Sequence, residues 1–196
     1  MFEKSDPIAQ QVVEFYMKNL NEKSNADDMR IILADVFGDY HLVCPTILFG
    51  EYLSRALMMN GRQSFYSYRL MLPIHDGTFN CNNDWQGVCH GEDVVYLFHV
   101  PMSHRSYTKD EIQLSNDMII SWTTFAWTGH PTTALKNDDN QTAVEWTEAI
   151  NNRSEFVSFM SLQPKHYEMI SNYFHIKCDQ FWKPILFKHT KQNKND

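Results

Sequence analysis

The chain has 196 residues, of which 43% are hydrophobic, 14% aromatic and 21% charged, the composition of a folded globular domain with a real core. Its 17 basic and 24 acidic residues leave a net charge of −7. No basic stripe is visible, so nucleic acid is not an expected partner, and no apolar run approaching the roughly 18 residues of a bilayer span is apparent.

Taken in chain order, Asp6-Pro7 reads as an N-cap followed by proline at the first helical position, and Ile8, Val12, Phe15, Tyr16 and Leu20 recur at helical spacing. A second helix is expected from Asp27 to Phe37, stopped by Gly38. A third is expected from about Tyr40 to Met59, ended by Asn60-Gly61, with Pro45 either starting or kinking it. Ser64 to Met71 reads as a strand because Phe65, Tyr66 and Tyr68 favour an extended backbone. Pro73 to Asp84 reads as a loop. Thr108-Lys-Asp-Glu111 is a capping box opening a helix to Thr128, with Met118, Trp122, Phe125 and Ala126 on its apolar face and Gly129 and Pro131 as its stop. Phe156 to Leu162 reads as a short strand, and Pro164 as the start of a last helix reaching Phe187. Helices with so few strands suggest α/β architecture in which the sheet belongs to something larger.

The segment richest in chemistry is Trp85-Gln-Gly-Val-Cys-His90-Gly-Glu-Asp-Val-Val-Tyr-Leu-Phe98. A histidine whose neighbour is glycine keeps an accessible ring and can act as a general base. A structural histidine is the plainer reading of any one of the nine present. The order Trp85, Gly87, Val88, His90, Gly91, Asp93, Phe98 resembles the W-x-G-[VA]-x-H-[GA]-x-[ED] segment around the catalytic histidine of type-B carboxylesterases, the cholinesterase-like family of serine α/β-hydrolases. Three more segments resemble the same family in the same order. These are Gly38-Asp39 with Cys44-Pro45, the helix from Leu114-Ser115 through Trp122 and Phe125-Ala126 to Gly129 and Pro131, and Cys178-Asp-Gln-Phe181-Trp182.

The resemblance implies an α/β fold, namely the C-terminal portion of an α/β-hydrolase with helices packed on a few strands of a larger sheet. It implies one domain portion over residues 1–187 and a polar tail over 188–196. His90 would be the triad base, taking the serine proton during attack on an ester carbonyl and later protonating the leaving alcohol. Asp93, Gly91 and Trp85 would support its loop. Asp93 could equally be an acid at a helix start, where it meets the helix dipole favourably. The family's chain order is serine, acid, histidine. No G-x-S-x-G elbow, acid motif or oxyanion-hole glycines are found in this sequence. The expectation is a C-terminal fragment of a carboxylic ester hydrolase, inactive alone, acting on a small-molecule ester only through a parent protein. The alternative is a non-catalytic adhesion or binding ectodomain of the same fold. No cofactor or metal is expected.

Residues 87–91 also fit G-x-C-x-G, but the flanks match the histidine loop rather than a nucleophile elbow, so Cys89 is a poor candidate nucleophile. The resemblance implies a Cys44–Cys178 disulfide, with two buried thiols as the alternative. Cys81 and Cys89 could form a second, small loop, which departs from the cholinesterase pattern. Sequons at Asn140 and Asn152, with an even cysteine count, point to a secreted or extracellular protein.

Overall fold

A computed structural model describes residues 6–18, 20–61, 65–75, 81, 83–98, 107–131, 135–137, 143–150 and 156–192. Among the described residues, six α-helices and three short strands make a mixed α/β arrangement, in agreement with the expected class. It divides into two compact units, residues 1–49 with 174–196 and residues 50–173.

In the first unit, α1 (Pro7–Met17) starts where expected, with the Asp6 carboxylate accepting from the Ile8 N–H at 2.8 Å. Helix α2 (Ala26–Gly38) is opened by a reciprocal capping box between Asn25 and Asp28. Gly38 does not stop it, contrary to expectation. Its backbone stays in the right-handed helical region (φ −62°, ψ −44°), and glycine ends a helix only by leaving that region. The chain runs on through one π turn (Asp39–Val43), where the Cys44 N–H reaches back to the Asp39 carbonyl, and then into α3 (Cys44–Met59). The widened turn lies immediately before Pro45, whose ring an unbroken α-helix would drive into the carbonyl of residue 41.

The continuous helix Ala26–Met59 has 34 residues and contains a stretch apolar enough to cross a membrane by length and composition. That corrects the expectation that no such stretch exists. Asp35 and Asp39 interrupt the run when it is read as sequence, yet the residues around them are apolar and helical. Within it, Asp39 and Cys44 are both buried and both engaged with other parts of the protein.

The core of this unit gathers Val12, Tyr16, Cys44, Cys178, Trp182 and Ile185. Cys44 and Cys178 are disulfide-bonded, with Cα atoms 4.9 Å apart and a sequence separation of 134. Above the bond runs a buried polar chain. Trp182 Nε1 donates to the Tyr16 hydroxyl at 2.6 Å, the Tyr16 hydroxyl donates to Asp39 Oδ2 at 2.8 Å, and Lys177 Nζ sits 2.9 Å from the same oxygen. Burial pushes the Asp39 carboxyl above the usual carboxylate range, and the Lys177 ammonium opposes that shift. Asp39 is thus one link of the buried polar chain in this unit.

In the second unit, β1 (Tyr68–Leu70) pairs in parallel with β2 (Ser158–Leu162), and β2 pairs antiparallel with β3 (Glu168–Ser171). The extended stretch expected over 64–71 is a ladder strand only at its end. Every residue of β2 is buried, the signature of a strand covered on both faces. The last helix does not begin at Pro164. Lys165 adopts a left-handed backbone (φ 70°), the chain reverses, and β3 forms before a π-helical stretch (His175–Trp182) leads into α6 (Lys183–Gln192).

Helix α5 (Lys109–Thr128) follows the sequence closely. The Thr108 capping box is present, and Gly129 closes the helix in the left-handed region. Its buried residues are Glu111, Leu114, Ser115, Met118 and Ser121, with Trp122 half-buried. Phe125 and Ala126 are exposed, so the apolar face lies one to three turns nearer the N-terminus than expected. Leu114 and Met118 pack with Ile74, Val95, Tyr96, Leu135, Trp146, Met160, Leu162 and Tyr167, each buried aliphatic contributing about 1.5–3 kcal/mol.

Candidate active-site histidine loop

His90 lies between a single 3₁₀ turn (Asp84–Gln86) and the short helix α4 (Glu92–Leu97). The turn is closed by Asn83 and Gln86, which satisfy each other's backbone and side-chain groups. Gly87 (φ 60°, ψ −137°) and Gly91 (φ 89°) then take conformations that side-chain-bearing residues rarely adopt. Two glycines therefore reverse the chain on either side of Val88-Cys89-His90. The outcome is an exposed His90 side chain on a tight turn, which is the accessibility a general base requires. Among the described residues, the ordered element immediately preceding His90 is the 3₁₀ turn.

The other sequence-derived site residues fall in the same loop. Gly91 is the N-cap of α4, and Asp93 is in that helix's first turn. Asp93 does more than meet the dipole: its Oδ2 accepts a hydrogen bond from the Tyr68 hydroxyl of β1 at 2.7 Å. Tyr68 is itself held edge-on to Trp122, with centroids 4.8 Å apart, and to Trp146 at 6.4 Å. Burial and the facing Asp93 raise the Tyr68 phenol well above its ordinary value, which keeps it a donor. Trp85 sits half-buried in the 3₁₀ turn, and Phe98 is largely exposed.

Cys89 is bonded to Cys81, so the second, smaller loop is present and Cys89 is no free nucleophile. The sequon residues Asn140 and Asn152 lie outside the described residues.

Three residues under the loop were not singled out for this role. In sequence Tyr68 reads only as a strand former. Glu111 reads as part of a helix cap, and it is that, accepting from the Thr108 N–H at 2.6 Å. It is also buried and accepts from the His75 N–H at 2.9 Å. Glu92 is 1% exposed, and neither of its carboxylate oxygens makes a well-formed hydrogen bond among the described residues. Burial raises its pKa, the backbone of Cys89 and Ile74 offsets part of the shift, and the Glu111 carboxylate adds to it. The signal available in sequence was only two adjacent acids after His90, which read more simply as a solvated helix start.

The sequence as a whole matches the profile of the Carboxylesterase family over residues 1–182. Among curated relatives, it is 24% identical to a cholinesterase of Mus musculus over 177 residues, covering 90% of this chain and 26% of that protein. It is 29% identical to an acetylcholinesterase of Bungarus fasciatus, covering 65% and 20%. An acetylcholinesterase-1 of Trittame loki is 26% identical, covering 89% and 28%. The chain thus spans between 20% and 28% of the length of these relatives. The histidine loop, the paired cysteines and a family match running through nearly the whole sequence agree, and the chain belongs to the carboxylesterase family.

Proposed function

We propose that this chain carries the histidine of a carboxylic ester hydrolase site working through an acyl-enzyme, and that His90 is the base. The observation that supports this best is the geometry of the loop. His90 stands exposed between two glycines in special backbone conformations, and the loop is pinned from both directions by Cys81–Cys89 and by Tyr68–Asp93. Family membership implies the α/β-hydrolase fold and, for its enzymes, ester substrates.

In this reading His90 accepts the proton of a serine hydroxyl as that oxygen attacks the ester carbonyl. It returns the proton to the leaving alcohol and then activates water to release the acid. The serine in its elbow, the triad acid and the oxyanion hole are supplied by sequence outside these 196 residues, since their motifs are not found here. The chain by itself is therefore inactive. The two disulfides support an extracellular setting.

The test is hydrolysis of a simple aryl ester by the isolated chain, with His90→Ala alongside. No turnover above the variant is expected. Sustained turnover that disappears in His90→Ala would show that the chain holds a complete site of its own.

A further inference from the structure

Three ligand-type side chains meet beside the histidine loop. The Sγ atoms of Cys81 and Cys89 and a carboxylate oxygen of Glu92 all lie within 4.8 Å of one another. Cys81 and Glu92 are buried and Cys89 is half-buried. The cysteines come from the two ends of a short loop, and Glu92 from the first residue of α4.

Glu92 is the informative member. It is 1% exposed, and neither of its oxygens makes a well-formed hydrogen bond among the described residues. A buried carboxylate left so is costly. Glu111, the neighbouring buried acid, shows how such a group is normally satisfied, since it accepts from two backbone N–H groups. Glu92 has only the backbone of Cys89 and Ile74 beside it, neither in a well-formed hydrogen bond among the described residues, and a carboxylate oxygen within 4.8 Å of two sulfurs. As a disulfide those sulfurs offer it nothing. As thiolates they would complete a set of three anionic ligands.

We propose that Cys81, Cys89 and Glu92 form a redox-gated site for a borderline divalent cation, Zn²⁺ by its chemistry, which opens when the Cys81–Cys89 bond is reduced. Two thiolates and one carboxylate suit Zn²⁺ over the hard cations, which prefer all-oxygen sites. With Zn–S near 2.3 Å and Zn–O near 2.0–2.2 Å, tetrahedral ligands stand roughly 3.5–3.8 Å apart. Breaking the S–S bond frees the two sulfurs, carried on Cα atoms 6.3 Å apart, to separate to that spacing. Three protein ligands leave the fourth position for water.

The steps balance. A reductant such as a water-soluble phosphine cleaves the S–S bond and becomes the phosphine oxide. Its oxygen comes from water, and the hydrogens of that water end on the two sulfurs. Zn²⁺ then displaces the thiol protons and any proton on Glu92, which leave to solvent. The metal complex carries one net negative charge, and the Glu92 carboxylate gains the partner it lacks.

The experiment uses the 196-residue chain with Co²⁺ as a spectroscopic probe, before and after mild phosphine treatment. The reduced chain is expected to take up one Co²⁺, with a thiolate-to-cobalt charge-transfer band and intense tetrahedral d–d bands, both erased by Zn²⁺. The untreated chain should show neither band. Cys44 and Cys178 are each 0% exposed. The double variant Cys81→Ser/Cys89→Ser keeps that second bond and controls for its thiols, and it should bind no metal after the same treatment. Glu92→Gln should weaken uptake by more than the roughly ten- to hundredfold that loss of an outer-shell partner costs. Circular dichroism follows the fold of every sample. The proposal is overturned by equal uptake in the untreated chain, in the serine variant or in Glu92→Gln. It is overturned equally by no uptake in a reduced chain, whether that chain keeps its circular dichroism or loses it, because the ligand set must survive reduction.

Discussion

The Tyr68 hydroxyl, on the sheet, donates a hydrogen bond to Asp93 Oδ2, in the first turn of the helix that follows His90, at 2.7 Å. This bond ties the histidine loop to the most regular part of its unit. Phenylalanine at position 68 would keep the aromatic contacts with Trp122 and Trp146 and remove only the donor. Tyr68→Phe should therefore cost about 1–2 kcal/mol in a urea titration. An unchanged midpoint would mean that Asp93 is satisfied by solvent alone.

The Cys44–Cys178 bond closes a loop of 134 positions inside a fully buried cluster. Replacing both cysteines by alanine should lower stability by about 2–5 kcal/mol. A non-reduced digest should contain one peptide linking 44 to 178 and another linking 81 to 89. Free thiols at 44 and 178 would refute the first pairing.

Lys177 is the cation facing the buried Asp39, whose carboxylate also accepts from Tyr16. Lys177→Met should cost about 1–3 kcal/mol, because it leaves that carboxylate with one partner fewer in a buried place. In the double variant with Asp39→Asn the two losses should be less than additive. Strict additivity, measured by denaturation of the two single variants and the double, would show that the pair is not coupled.

Glu92 gives a pH dependence whose sign is fixed. Its folded pKa is raised, first by burial and also by the Glu111 carboxylate of α5; the facing cysteines are bonded and do not titrate. The folded state therefore holds its proton to higher pH than the unfolded state does. Stability contributed by this group is present below the ordinary carboxylate range and is lost as pH rises through the raised value. Glu92→Gln should flatten that fall and be the more stable form at pH 7. A variant that is less stable at pH 7, with the slope unchanged, would contradict the assignment.

Much of this architecture is legible in the residues themselves. The Thr108 capping box and Gly129 bound α5 correctly because both signals are local and strong. The pairing of Cys44 with Cys178 is not local, and it came from resemblance to a family rather than from spacing. Two elements escaped for physical reasons. The turn before β3 is made by Lys165 in a left-handed conformation, with its ammonium 2.7 Å from Asp110, so no glycine announces it. Gly38 looks like a helix stop but remains helical, because the π turn carries the chain onward to Pro45. At the site, the histidine and its glycines were visible. The Tyr68 support and the buried Glu92 were not, since both depend on which side of a short helix faces the sheet and α5.

The most direct test of His90 as a triad base is a splice of this chain onto the amino-terminal part of a cholinesterase relative, which supplies serine, acid and oxyanion hole. Ester hydrolysis by a folded splice should fall on the order of ten-thousand-fold or more in His90→Ala, with little change in circular dichroism. Activity that is undiminished in His90→Ala would remove His90 from the catalytic machinery.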